Sequence, residues 1–297
     1  MKFHKIIPFS LIVVSLVSIV YFFRLEAIGW YFLHNAQSSN DPHALNLKNY
    51  QVVIDGLAIE GLKNASDLTY NADSNTLYTV LNQESKLIEL SLDGKVLRSI
   101  QIDGVDDMEG VTHLYGDHYV IADERDSRLV LMELPSHAST VDVTHAPKIR
   151  LGMNDKGNKN FEGISWDMHQ QRLLVVKERD PKYMISVKGL VEGRINQPLH
   201  LDVEKLSQYD DMLNWAMRDL SAVHYISESG HTLLLSEESK LVKEFDEHAK
   251  PLGALSLWKG FHGLKANIPQ AEGIALDNQS NLYIISEPNL LYVFRPQ

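Results

Sequence analysis

The sequence predicts an all-β fold: a five-bladed β-propeller of four-stranded antiparallel blades, preceded by one N-terminal transmembrane helix. Three observations carry that prediction. An acidic residue leading into a short apolar strand, a turn and a second strand recurs five times. The spacing of roughly 40–55 residues marks one closed repeat architecture rather than two separate domains. Each copy has room for four strands joined by short turns, the make-up of a propeller blade. The chain ends also match each other: Tyr50 to Gly56, YQVVIDG, resembles Arg98 to Gly104, RSIQIDG, the fourth strand of the first copy.

Taken in order, the chain opens on Lys2 and Lys5, then Ile6 to Phe23, a run of eighteen residues without charge, closed by Arg24. That length reaches a marginal membrane span. The lysines favour a cytoplasmic N-terminus and place the rest on the far side. A cleaved signal peptide is the rival, but RLEAIGW after Phe23 offers no A-x-A-like site. Residues 1–25 are therefore expected to be an anchor, 26–49 a tether and 50–297 the propeller. Ser38, Ser39, Asn40, Asp41 and Pro42 give the stretch from Trp30 to Asn49 its tether-like character.

The first copy shows the unit most clearly. Strand A is expected at Asp67–Tyr70, B at Thr76–Leu81, C at Leu87–Leu92 and D at Val96–Ile102, with an Asp93-Gly94 hairpin turn before D. The other copies are DDMEGVTHLYGDHYVIADERDSRLVLMEL from Asp106, KNFEGISWDMHQQRLLVVKERDPKYMISV from Lys159, RDLSAVHYISESGHTLLLSEESKLVKEF from Arg218 and PQAEGIALDNQSNLYIISEPNLLYVF from Pro269. The last stops without a fourth strand, so Gln51–Ile54 is expected to supply it and close the ring. A sixth, degenerate blade in the insertions is the main competitor. Between the third and fourth copies, Val203, Leu206, Tyr209, Leu213 and Met217 recur at helical spacing over Asp202–Arg218, and a helix on a blade edge is expected. Trp258–Pro269 reads as a loop, and Asn154–Asn160, NDKGNKN, as a turn without EF-hand spacing.

The repeated acids fall at two places. Asp67, Glu109, Glu162, Asp219 and Glu272 precede strand A; Gln83, Glu124, Glu178, Glu237 and Glu287 end strand B. Strand A lines the channel and B returns antiparallel to it, so both sets are expected at one mouth as two rings. Two carboxylates about 5 Å apart at an effective dielectric near 20 repel by roughly 3 kcal/mol. Several such pairs would consume much of the ~5–15 kcal/mol that stabilises a domain. Raised pKa values, basic neighbours, backbone N–H donors or a bound cation must offset this. Arg125, Arg179 and Lys177 are the basic candidates. The bland alternative for each acid before strand A is that it accepts hydrogen bonds from a neighbouring blade. For the set, an oxygen-seeking cation is expected, with Ca²⁺ the natural choice outside the cytoplasm. Glu109, Glu162 and Glu272 lead, because the glycine after each would let the backbone pass close to an ion.

Composition removes other classes. The chain of 297 residues carries −11, and the part beyond residue 25 has 25 Lys and Arg against 39 Asp and Glu, a net of −14. Such a surface repels phosphate backbones, so no nucleic-acid partner is expected. With no cysteine there is no thiolate chemistry. The 13 histidines form no HExxH, and no G-x-S-x-G elbow or P-loop is present. His113 and His224 read as rim or core histidines, and Tyr70, Trp166 and Tyr225 as inter-blade core.

The motifs DLTYNADSNTLYTVLN, DDMEG with IADERDSRL, NFEGISWD with VVKERDP, DLSAVHY with LSEESKLVKEF, and QAEGIALDNQSNLYIISEPNLLYVF resemble the SdiA-regulated (YjiK-like) family over about Tyr50–Phe294. The resemblance implies a five-bladed propeller, distantly similar to NHL-repeat propellers, outside the inner membrane, anchored by its N-terminal helix and carrying a calcium site. It brings no reaction with it. The expectation is thus a membrane-anchored periplasmic Ca²⁺-binding module with a small-molecule or protein ligand at the acidic mouth. The alternative is a calcium-dependent hydrolase of the phytase, lactonase or esterase kind, with the metal polarising an oxygen on the axis.

Overall fold

The computed structural model describes residues 6–36, 41–151, 161–179, 181–190 and 201–297; the tract Asn154–Asn160 lies outside them. Helix α1 (Ile6–Phe22) and helix α2 (Leu25–Ala36) precede the propeller. Strand β1 (Tyr50–Ala58) is followed by blade one, β2 (Ala65–Asn71), β3 (Thr76–Leu81), β4 (Lys86–Leu90) and β5 (Val96–Asp103). Blade two comprises β6 (Met108–Tyr115), β7 (His118–Asp123), β8 (Arg128–Glu133) and, after a detour through β9 (Thr140–Asp142), β10 (Lys148–Arg150). Strand β9 adds itself parallel to β5 at the rim of blade one, making that sheet five-stranded. Blade three is β11 (Phe161–Asp167), β12 (Arg172–Lys177), β13 (Tyr183–Lys188) and β14 (Asp202–Lys205). After helix α3 (Asp210–Ala216), blade four is β15 (Ala222–Ile226), β16 (His231–Ser236), β17 (Leu241–Phe245) and β18 (Pro251–Ser256). Blade five is β19 (Gln270–Leu276), β20 (Leu282–Glu287) and β21 (Leu290–Pro296), closed by β1. Five blades and N-terminal closure follow the sequence prediction; no sixth sheet occurs among the described residues.

The strands are apolar on both faces because each blade is packed between two others. In β3, Tyr78 and Val80 join the cluster shared with blade two, while Leu77 and Leu81 join the cluster shared with blade five. Strand β20 does the same, with Leu282 and Ile284 on one side and Tyr283 and Ile285 on the other. Five apolar clusters result, one at each blade interface. Strand alternation of period two thus becomes a ring of cores, with burial as the dominant stabilising term.

Along the axis the inner strands are stapled by side chains. Thr69 Oγ1 accepts from the His113 amide at 3.1 Å, Thr112 Oγ1 from the Trp166 amide at 3.1 Å, and Ser165 Oγ from the Tyr225 amide at 2.9 Å. These bonds satisfy amides that the inner edge of each sheet leaves without a strand partner.

Two expectations need correction. The helix expected over Asp202–Arg218 begins only at Asp210; Asp202–Lys205 is the outer strand of blade three, with Val203 exposed. Leu206, Tyr209, Leu213 and Met217 are buried between blades three and four, so α3 packs on a blade edge as expected. The stretch expected as a tether is docked. Asn35 of α2 both donates to the Ala254 carbonyl (2.9 Å) and accepts from its amide (3.1 Å), covering the outer edge of β18. The Leu45 amide donates to Glu244, and Leu47 and Tyr50 are buried. The amide tip of Asn35 and the ring of Tyr31 against Phe261 hold what composition alone made look polar and loose. As for α1, among the described residues no single helix is long and apolar enough to cross a membrane; the pair Ser10–Phe22 and Leu25–Ala36, bent by 77°, passes by length and composition.

Candidate functional site

Where the inner strands begin, a cavity of about 280 Å³ opens on the axis. It is walled by Ser66, Asn82, Glu109, Glu162, Glu178, Arg179, Asp219, Ser221, Glu237, Gln270, Glu272 and Glu287. Every lining side chain except Arg179 offers an oxygen. Strand register explains the membership. Met108, Phe161 and Ala271 pair with Asp123, Lys177 and Ser286, and a bulge follows in each blade. The residue after each is Glu109, Glu162 or Glu272, turned into the mouth. Blade one has the same bulge after Ala65 and Ser66, which puts Ser66 at the glutamate position and Asp67 at the position of Gly110, Gly163 and Gly273. In blade four the corresponding residue is Ser221, whose amide bonds to the Leu235 carbonyl at 3.0 Å.

Two predicted ring positions, Asp67 and Gln83, are therefore corrected, and Asp219 holds its place in the mouth. Asp67 lies beneath the mouth, wholly buried, at a left-handed φ of 43°. Its carboxyl accepts from the amides of Val111 (3.0 Å) and Ile164 (3.3 Å), on blades two and three, and from Leu68 (2.8 Å). This is the inter-blade bonding role, not an open ligand. Burial raises its pKa well above the usual carboxylate range, with Glu109 adding to the rise. Asp219 reaches the mouth, but its oxygens take the Ser236 hydroxyl and, at 3.1 Å, the Glu238 amide. Gln83 points away into a separate surface cleft with Lys63 and Pro288; Asn82 stands in the ring instead, donating to Glu109 at 3.2 Å.

The glycines also have another purpose than the predicted approach to an ion. A Cβ at Gly273 would sit 2.4 Å from the Asp67 carbonyl carbon, and one at Gly163 2.6 Å from the Ala222 Cα. They let neighbouring inner strands close on the axis.

Basic partners cover part of the charge. Arg179 pairs with Glu178 and, at 2.6 Å, with Glu238; Lys240 lies 3.3 Å from Glu237. Arg125 pairs instead with exposed Asp106 at 3.3 Å, and Lys177 donates to the Arg179 carbonyl at 2.7 Å. Glu124 is buried beside the mouth, and its charge raises the pKa of Glu109 and Glu162. Burial first, then neighbouring carboxylates, push Glu109 up to about 7 and Glu272 up to about 9, and raise Glu162 well above its ordinary value. Burial alone raises Glu287. The crowding expected from sequence is thus concentrated on Glu109, Glu162 and Glu272, with Glu287 adding to the rise at Glu272. Their donor chemistry suits a hard cation. Among the described residues no three His, Asp or Glu side chains stand close enough together to form a metal-holding group.

At the other end of the channel, His113, Trp166, His224, Tyr70 and Tyr225 line a second cavity of about 310 Å³. Trp166 and Tyr70 also pack against the inter-blade clusters, so the core reading holds for one face of each ring. The other face opens onto the cavity.

Five four-stranded antiparallel units around a channel, acid-lined at one end, define a five-bladed β-propeller. Residues 42–295 match the SdiA-regulated family, and the chain belongs to it. Among solved structures, it is similar to the luciferin-regenerating enzyme, with 10% identity and a TM-score of 0.52, over 82% of this chain and 95% of that one. The β-propeller domain of Myceliophteria thermophila Cps50 (Swd1) is similar at 11% identity and a TM-score of 0.42, over 80% of this chain; the match spans 65% of that chain. A nidogen/laminin complex gives 12% identity and a TM-score of 0.47, over 80% and 84%. At such identities the likeness is one of fold.

Proposed function

We propose that this protein is a membrane-anchored, periplasmic, Ca²⁺-binding propeller that acts as a binding or sensing module of the cell envelope. The observation that carries the metal reading is the group Glu109, Glu162 and Glu272: half-buried, raised in pKa, and facing one 280 Å³ mouth. These three would hold the ion, with Glu287 and the Ser66 and Ser221 hydroxyls in reach of the same space. Neutralising a dication there replaces mutual repulsion with attraction. Support for the anchor is the apolar run of α1 behind Lys2 and Lys5, with Leu11, Val14 and Val17 exposed. Calorimetric titration of Ca²⁺ into the full chain is expected to show saturable binding, weakened at least tenfold by Glu162→Gln. Absence of binding, or binding that Glu162→Gln and Glu272→Gln leave intact, rejects the metal.

One observation favours the hydrolase as second reading: Glu109, at about 7, titrates where a general acid or base is most effective. A screen of phosphate esters and lactones with and without Ca²⁺, against Glu109→Gln, decides it. Turnover lost in the variant selects the enzyme; no turnover selects the binding module.

A further inference from the structure

The far mouth of the channel is built on a second repeat that the acidic residues conceal. The amides of His113, Trp166 and Tyr225 each receive a staple from the preceding blade, so these residues occupy equivalent positions, shared by register with Tyr70 and Leu276. Four of the five blades thus place an aromatic or imidazole ring at the channel's end. One residue earlier, the staple position holds Thr69, Thr112 and Ser165 in blades one to three. In blade four it holds His224. An imidazole cannot make the short hydroxyl staple, and the His224 ring makes no hydrogen bond with any described residue; burial alone acts on its ionisation and keeps it neutral at physiological pH. Its ring borders the 310 Å³ cavity.

A neutral imidazole has one donor and one acceptor, and the half-buried His224 ring leaves both free for a molecule in the cavity. An unsatisfied polar edge amid aromatic faces is the usual make-up of a small-molecule pocket, and roughly 300 Å³ is within the range for one. The polar groups near it are otherwise engaged. His113 Nε2 bonds to the Gly116 carbonyl at 2.9 Å, and Tyr70 donates to Asn75 at 2.8 Å. Asp73, Asp277 and Glu228 stand among the lining residues and no lysine or arginine does, so anions are disfavoured.

From this geometry we infer that the aromatic mouth is a second binding site, taking a small planar heteroaromatic molecule, neutral or cationic, against Trp166 and Tyr225. Its ring edge hydrogen-bonds His224. The site is independent of whether the acidic mouth holds a cation.

Three probes with one ring test this by calorimetry on the full chain in lipid nanodiscs: 2-(aminomethyl)benzimidazole, benzimidazole-2-methanol and benzimidazole-2-carboxylate. The amine and the alcohol are expected to bind saturably and the carboxylate at least tenfold more weakly. Losing the imidazole contact in His224→Leu should weaken the alcohol about tenfold, and Trp166→Leu by a similar factor. No variant is needed for the companion measurement: benzimidazole-2-methanol should shift the His224 ring ¹⁵N resonances of the wild type. Failure of all three probes to bind overturns the site. Equal binding of the carboxylate, unchanged affinity in both variants, or unmoved His224 resonances would do so too.

Discussion

Where the inner strands begin, Glu109, Glu162 and Glu272 wall the channel; where they finish, Tyr70, Trp166 and Tyr225 do. The same five strands build both mouths, and the backbone geometry is the same from blade to blade. What differs is how each mouth meets the cost of burying polar groups. At the acidic mouth like charges are held together, and the relief comes from protonation, from Arg179 and Lys240, and, as proposed, from a cation. At the aromatic mouth burial is cheap, and a single imidazole is left without a partner. The two mouths thus differ in chemistry, and beneath the acidic one the buried Asp67 carboxyl ties blades one, two and three together.

Breaking that tie should have the largest effect. Asp67→Ala leaves the Val111 and Ile164 amides buried without an acceptor. It should cost about 3–5 kcal/mol, since each unsatisfied buried group costs ~1–3 kcal/mol and a cavity adds to it. Asp67→Asn, which mimics the protonated carboxyl favoured by burial, should cost less than about 1 kcal/mol. Urea unfolding measures both. If the two variants are equally unstable, Asp67 is bound as an anion, and the separation between the mouths is electrostatic.

An off-axis site sharpens the pH side of the comparison. Lys243 in β17 is fully buried beneath α2, makes no hydrogen bond among the described residues, and has Trp30 at 5.3 Å. Burial lowers its pKa to about 7. The unfolded chain, at 10.5, holds the proton longer than the folded one, so this group's contribution to stability rises with pH between about 7 and 10.5. Lys243→Met should stabilise the protein by about 2 kcal/mol at pH 6 and by less at pH 9. Thermal unfolding at the two pH values checks it.

The acidic mouth has the opposite slope. Glu109 and Glu272 are raised from 4.5 to about 7 and about 9, so folding favours the protonated forms. That stability is whole below about pH 4.5 and is lost as pH climbs through 7 and 9. Glu272→Gln, which removes the cost of taking up a proton on folding, should therefore stabilise the metal-free protein by about 1 kcal/mol at pH 8. At saturating Ca²⁺ the order should reverse, the wild type being the more stable. A wild-type advantage without Ca²⁺ would mean that the mouth is held by its own bonds and needs no ion.

How much of this was legible in the sequence depended on which physical signal each part left. Strand β3 falls at Thr76–Leu81, as expected, because a strand packed on both faces leaves an apolar run that turn residues bound cleanly. Ring closure was legible because β1 copies a fourth strand. The acid ring was misread in blade one. Asp67 aligns with the glutamates by eye, but the bulge sets Ser66 in their place, and a one-residue shift in a strand reverses the face; in blade four Ser221 holds the glutamate position while Asp219, two residues earlier, still reaches the mouth. Thr69, Thr112 and Ser165 were missed because a hydroxyl staple has no composition signature. Their recurrence one residue before His113, Trp166 and Tyr225 was the available clue. The aromatic mouth stayed hidden because Tyr and Trp serve core and cavity equally well. Val203 fell at helical spacing with Leu206 by chance; it is exposed on β14.

The smallest expected effect is the one that separates the mouths most sharply. In the protein without ligand, His224→Leu removes a ring that bonds to nothing and substitutes an apolar group of similar size, so its two lost hydrogen-bonding sites carry no folded-state interaction. Stability should change by no more than about 0.5 kcal/mol, or rise slightly, as for other substitutions that break no contact. It should also be flat between about pH 7.5 and 9, because the His224 pKa of about 4 leaves the folded ring neutral and the unfolded one, at 6.5, is deprotonated across that range. A loss of about 2 kcal/mol or more in urea unfolding would show that the imidazole does hold blade four to blade five. The far mouth would then be a fourth staple rather than a vacancy for a ligand.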